Sequence, residues 1–235
     1  QTSRFSITAS VCHQTQSTPP GHVRPRQTIP SRRLSPTIPF LLTTLAAERL
    51  MPIPYKIAVL VYVFNDQGQL LLLHRRRPPN RDLYSPIGGK LEQALGESPF
   101  ACALRETEEE IAVTLTLDDI RLLGIVSEKA FAAGSDNAPT GDATHWLMFC
   151  FEVTRPLNFP AREISEGTLE WIDPADLAAL PIPQTDRAVI WPLIERHSRV
   201  LHPGADHAEP FFSVHIDCTT PDQFIVTHEH PRPAP

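Results

Sequence analysis

The chain has 235 residues, a formal net charge of −6 and a hydrophobic fraction of 41%. That suits one globular domain with tails. The acidic balance argues against a general nucleic-acid binder, which needs a basic face, and no run is long or apolar enough to cross a membrane as a helix. Cys12, Cys102, Cys150 and Cys218 are scattered, with no CxxC pair and no histidine at zinc spacing. They read as reduced thiols of a cytoplasmic protein rather than a disulfide framework.

Residues 1–50 are rich in Ser, Thr and Pro, carry Arg4, Arg24, Arg26, Arg32 and Arg33, and reach their first acid only at Glu48. Such a stretch buries too little apolar surface to order itself and reads as a disordered extension. Two origins fit. One is a transit-type presequence, Arg- and Ser-rich and poor in acid. The other is an artefact of the gene boundary, with translation starting at Met51, the first Met in the chain. Pro20, Pro25, Pro30, Pro36 and Pro39 argue against a targeting helix and favour the second. Residues 51–203 then form the folded domain, and residues 204–235 a C-terminal extension.

Tyr55 to Phe64 is dense in β-branched and aromatic residues and predicts a buried strand. Asn65-Asp66-Gln67-Gly68 has hairpin-turn chemistry, with Gln69 to Arg75 as the return strand. Arg75-Arg76-Arg77 runs into Pro78-Pro79 and a polar loop, after which Ser85 to Gly89 leads into a Gly-rich turn. Ser98 is a good N-cap and Pro99 fits the first helical position, so a helix is expected through Ile111. Arg121–Ser127 and Thr144–Val153 are strand-like, and the loop 132–141 between them is long enough to border a site. Thr168–Ile172 predicts a short strand and Pro174–Leu180 a short helix behind the Asp173 cap. Asp186–His197 predicts a last helix interrupted by Pro192. Phe211–Cys218 and Phe224–Thr227 predict a hairpin that covers a sheet edge or joins two copies into a homodimer. His228 and His230 flank Glu229 in a Pro-rich end that reads as a solvated tail. Strands and helices in mixed order indicate an α/β layered domain.

The chemistry concentrates at Gly88–Val113, GGKLEQALGESPFACALRETEEEIAV. At about 100° per residue, Phe100, Ala103, Leu104, Thr107 and Ile111 fall on one helix face. Glu106, Glu109 and Glu110 line the neighbouring edge, and Glu108 points the opposite way. Three like charges beside a core face repel one another unless something positive sits among them. A hard divalent cation with oxygen ligands does that, and Mg²⁺ typically joins carboxylates to substrate phosphates.

This stretch resembles the Nudix box. Glu97 lies eight positions before Arg105, as in that pattern, and Glu106, Glu109, Glu110 and Val113 match its acidic and last apolar positions. Three residues depart from it. A short insertion surrounds Gln93-Ala94-Leu95, Thr107 stands at an apolar position, and Ala112 stands where Gly normally serves the helix end. The resemblance implies an α/β/α sandwich with a mixed sheet and an Mg²⁺- or Mn²⁺-dependent hydrolase of pyrophosphate bonds in nucleoside diphosphates linked to another group. It makes Glu109 and Glu110 metal ligands, Glu106 a supporting ligand, and Glu97 with Arg105 an ion pair bracing loop against helix. A general base from outside the box is expected at Glu163 or Glu166. Gly88, Gly89 and one of Arg75, Arg76 and Arg77 are expected at the substrate phosphates.

Relatives that cleave ADP-ribose often carry a Pro about sixteen residues past the box, and dinucleoside-polyphosphate relatives a Tyr further on. Here that region reads Glu128-Lys129-Ala130-Phe131, with neither. The expected substrate is therefore a small-molecule nucleoside triphosphate, ordinary or oxidised. Its base would stack on Phe131 or Trp191 and hydrogen-bond to Asp186 or Asn137. ADP-ribose or a nucleotide sugar is the alternative substrate, and a non-catalytic nucleotide-binding module is the alternative class.

Overall fold

The computed structural model describes residues 55–78, 80–133, 139–204, 211–220 and 223–232; the side chains of 131–133, 139–143, 220 and 223 are outside that set. The expectations for residues 1–50, Asn137 and the Phe131 ring therefore fall outside the described residues.

β1 (Tyr55–Tyr62), β5 (Pro139–Val153), β4 (Ile120–Ala133), β8 (Phe212–Thr220) and β9 (Gln223–His230) form a five-stranded sheet in that order. It is mixed: β1 runs parallel to β5 and β4 parallel to β8, while β4–β5 and β8–β9 are antiparallel. β3 (Tyr84–Ser85), β2 (Leu70–Arg75), β7 (Gly167–Ile172) and β6 (Arg162–Ile164) form a second, antiparallel sheet. Period-two alternation divides β1 between two cores. Val59, Val61 and Val63 pack with Cys102, Ala103 and Ile111 of α1 (Pro99–Ile111). Tyr62 and Phe64 pack with Ile190 and with Leu193 and Ile194 of α2 (Trp191–His197). Helices thus cover both faces of the mixed sheet, the expected α/β/α arrangement.

The turn at Asn65–Gly68 is present, with Asn65 Oδ1 accepting the N–H groups of Gln67 and Gln69 at 3.0 and 2.9 Å. The strands it joins do not stay paired. Beyond the Asn65–Gln69 contacts of the turn, the Phe64–Leu70 bridge and the Leu71 N–H to Val63 C=O bond connect them among the described residues. The free edge of β1 is taken instead by the Gly-rich segment: Val59 N–H reaches Gly89 C=O at 2.9 Å and Val61 N–H reaches Ile87 C=O at 2.8 Å. β2 must leave for the second sheet.

Ser98 caps α1, its hydroxyl accepting Ala101 N–H at 3.2 Å. At the other end Ala112 adopts φ 54°, ψ 38° and its N–H returns to Glu108 C=O at 2.9 Å. The helix therefore ends in the left-handed conformation the box prescribes, but without the glycine that adopts it readily. Thr107 is wholly buried, and its hydroxyl donates to Ala103 C=O at 2.7 Å, so its departure from the pattern leaves no polar group unsatisfied.

The last helix differs from expectation in its first half. Asp186–Ile190 is a turn of π-helix, and α-geometry starts only at Trp191, which puts Pro192 in the first turn of α2. Proline lacks the N–H that a longer α-helix would need there, so the wide turn absorbs it. The end of α2 is anchored by Glu152, a wholly buried carboxylate on β5. Glu152 accepts from Arg121 Nη2 at 2.8 Å, from the Ser198 hydroxyl and from Arg199 N–H at 3.3 Å. The C-terminal hairpin forms with longer strands than expected. β8 covers the edge of β4, and His228–His230 belong to β9 instead of a solvated tail, because Val214 and Ser213 supply ladder partners to them.

Candidate active site

The Gly-rich loop lies directly on the carboxylate edge of α1. Gly89 packs so closely on Glu106 that an added Cβ would collide with its carboxylate. Gly88 takes φ 131°, a conformation that favours glycine. Its N–H donates to Glu110 Oε2 at 2.9 Å. The inserted residues Gln93–Leu95 form one 3₁₀ turn closed by Gly96, with Leu95 on the surface, so the extra length is taken up away from the carboxylates.

Arg105 organises the acids. Its Nε and Nη2 hold the two oxygens of Glu97 at 2.8 and 3.0 Å, the expected brace between loop and helix. That bidentate contact holds the Glu97 carboxyl down to about 2. Nη1 reaches Glu106 at 2.8 Å and Glu109 at 3.2 Å, and Nη2 also donates to Lys90 C=O at 3.3 Å. Glu109 is 59% exposed, whereas Glu106 is only 14% exposed. Glu106 and Glu109 thus turn toward the guanidinium. Among the described residues no three acid, His or Cys side chains converge on a metal position as they stand.

Glu110 differs from its neighbours. It is 7% exposed, and burial pushes its carboxyl up to about 8. The charges of Glu166 and Glu106 add to the rise, while the Gly88 N–H and Arg75 oppose it. Burial likewise raises Glu106, with Glu109 and Glu166 contributing and Arg105 opposing. Burial leaves these carboxylates poorly solvated, and their donor atoms are all oxygens. Residues of this kind fit a hard divalent cation.

The two outside acids part company. Glu166, in the β6–β7 turn, lies close enough to raise both Glu106 and Glu110, and it pairs with Arg75 Nη2 at 3.5 Å. Glu163 is 66% exposed and is held by Arg76 at 2.5 Å. Arg75 and Arg76 therefore bind the β6–β7 hairpin in this structure. Arg77 is exposed on the surface.

On the opposite face of the five-stranded sheet lies a narrow, open cleft lined by residues that include Tyr62, Tyr84, Pro86, Leu177, Asp186 and Trp191. Asp186 and Trp191, both expected at a base, lie in it together. Burial and the charge of Glu128 push the Asp186 carboxyl up to about 7. Glu128 stands on β4 opposite Trp146 of β5, is itself raised by burial, and accepts a hydrogen bond from Thr185. Sequence reasoning did not single out Tyr62 and Tyr84 at the cleft, nor Glu128 beside Asp186. The signal for Glu128 was an acid two residues after Val126, on the strand face that is otherwise buried.

A sequence profile described as the NUDIX domain matches residues 54–191. The chain belongs to the Nudix family, and is a hydrolase of the phosphorus-containing acid-anhydride class. The MutT protein of Bacillus halodurans has the same fold, at 24% identity and TM-score 0.53, over 76% of this chain and 99% of that one. A MutT protein from Methanosarcina mazei is 21% identical over 62% of this chain and 94% of its own, with TM-score 0.47. The NUDIX domain of Shewanella oneidensis NrtR, crystallised with ADP ribose, is 20% identical over 62% and 90%, with TM-score 0.45. Nudix hydrolases generally use divalent metal ions. Among the described residues, no helix is long and apolar enough to cross a membrane.

Proposed function

We propose that this chain hydrolyses a nucleoside triphosphate, ordinary or oxidised, to the monophosphate and pyrophosphate with Mg²⁺ or Mn²⁺. The observation that carries this reading is the buried, poorly solvated Glu110 beneath the Gly88 N–H, one helix edge from Glu106 and Glu109. Glu109 and Glu110 would hold the cation, with Glu106 in support. When bound, such a cation neutralises phosphate charge and brings water toward hydroxide near neutral pH.

The chain's own residues supply the rest. Arg105 and Glu97 fix the loop against the helix, so the Gly88 and Gly89 backbone stays aligned with the carboxylates. Glu166 is the general base, because it lies close enough to raise both Glu106 and Glu110 and its pair with Arg75 is long at 3.5 Å, whereas Glu163 is held by Arg76 at 2.5 Å. Phosphate would compete with these carboxylates for Arg75 and Arg76. Trp191 and Asp186 take the base within the aromatic cleft.

The test is hydrolysis of a triphosphate panel in ¹⁸O-water, with products separated by chromatography. Monophosphate plus pyrophosphate is expected, formed only with divalent metal; the labelled fragment identifies the phosphorus attacked. Inorganic phosphate as the sole phosphate product would make this a phosphatase and sink the reading. Much faster cleavage of ADP-ribose or a nucleotide sugar would keep the enzyme class and replace the substrate. Binding without any cleavage would leave a nucleotide-binding module.

A further inference from the structure

We propose that Lys56 and Lys90, both close to the indole of Trp146, form an anion-binding site on the sheet face that carries the cleft, and that it takes the terminal phosphates of the substrate. The proposal rests on the triphosphate reading above. Lys56 Nζ lies 5.1 Å from the Trp146 ring centroid and Lys90 Nζ 5.8 Å from it. Lys56 is in register with Trp146 across β1 and β5, and Ala58 faces Lys90 in an antiparallel bridge. Partners in register project to one sheet face, so Lys56, Ala58, Lys90 and Trp146 share that of Tyr62 and the cleft. The small side chain of Ala58 leaves Lys90 room to reach across to the indole.

Among the described residues neither ammonium has a carboxylate partner; the ion pairs formed there use other cations. Each ammonium has the indole's π-system as a weak partner. A polyanion supplies the full opposite charge that the ring does not. Lys90 is also fixed in place: it directly follows Gly89, which packs on Glu106, and its C=O accepts from Arg105. Beyond Trp146 in the same cross-strand row stands Glu128. The row therefore runs from Lys56, with Lys90 beside it, to Glu128, whose charge acts on Asp186. A nucleotide would lie with its phosphates toward the lysines and its base toward the acids.

The experiment titrates the full-length, metal-free chain with inorganic tripolyphosphate, read by calorimetry and by tryptophan fluorescence. Saturable binding is expected, weakened about tenfold in Lys56→Gln or Lys90→Gln and lost in the double variant. Lys56→Arg should restore it. Trp146→Phe should keep the calorimetric binding but remove most of the fluorescence change. In the presence of metal, the double variant should raise KM for the triphosphate far more than it lowers kcat. Unchanged tripolyphosphate affinity in the double variant, or orthophosphate binding as tightly as tripolyphosphate, would overturn the proposal. The two readings can fail separately. Lysine-dependent tripolyphosphate binding with no nucleotide cleaved leaves this site standing and removes the triphosphatase function. Cleavage with an unchanged KM in the double variant does the reverse.

Discussion

Replacing Glu110 by Gln tests the electrostatics of the carboxylate edge directly. Gln is nearly isosteric, and its amide oxygen still accepts the Gly88 N–H. What changes is the charge. The Glu110 carboxyl rises from 4.5 to about 8 on folding, chiefly through burial. The folded state therefore holds a proton that the unfolded chain releases, and stability falls as pH rises through the window from 4.5 to about 8. At pH 7 the accumulated penalty is on the order of 3 kcal/mol. Glu110→Gln should recover much of it in the metal-free protein. A chain of this size gains about 2–4 °C in Tm per kcal/mol, so the variant should melt several degrees higher at pH 7–8. The two proteins should converge near pH 4, where wild-type Glu110 is protonated in both states. Added Mg²⁺ should raise the wild-type Tm and leave that of the variant nearly unmoved, because a ligand has gone. Thermal melts from pH 4 to 9, with chelator and with Mg²⁺, measure all of this. Parallel melting curves for the two proteins across that range would show that Glu110 carries no burial penalty.

Glu109→Gln should lower turnover by more than about tenfold, or roughly 1.4 kcal/mol of barrier, while the melting temperature stays close to wild type. The substitution breaks a single 3.2 Å ion pair of a 59% exposed side chain, and a variant keeping most of the wild-type rate would remove Glu109 from the metal ligands. Ala112→Gly should stabilise the protein by about 1 kcal/mol, because the position sits at φ 54°, where a Cβ is strained; denaturant midpoints at constant m-value check it. Arg105→Lys should destabilise the loop by about 1–2 kcal/mol, since an ammonium cannot hold both Glu97 oxygens, and an unchanged melt would show that the brace is idle. Asp186→Asn should flatten the dependence of KM on pH around 7, where the wild-type carboxyl titrates; identical KM profiles would place Asp186 outside the base site.

Most of the carboxylate edge's geometry was legible from local spacing. The Ser98 cap, the run Glu106-Thr107-Glu108-Glu109-Glu110 and the eight-residue offset of Arg105 from Glu97 lie within one loop and one helix. Helical periodicity alone puts such residues on one face, whatever the remainder of the chain does. The αL end at Ala112 was likewise implied by the box, although the residue there disfavours it. Tertiary structure decided what depends on pairing between distant strands. Glu166 and Glu163 are three residues apart and chemically alike, yet only the register of the β6–β7 turn turns Glu166 toward Glu110 and leaves Glu163 to Arg76. The hairpin opening into two sheets follows from competition for the second edge of β1, which the segment around Ile87 and Gly89 wins. Glu128, Trp146, Lys56 and Lys90 are scattered over more than seventy residues, and only the ladders β1–β5 and β4–β5 and the Ala58–Lys90 bridge set them on one face. A single sequence carries alternation within each strand but not the register between strands, and a slip of one residue would turn that whole row to the other side of the sheet.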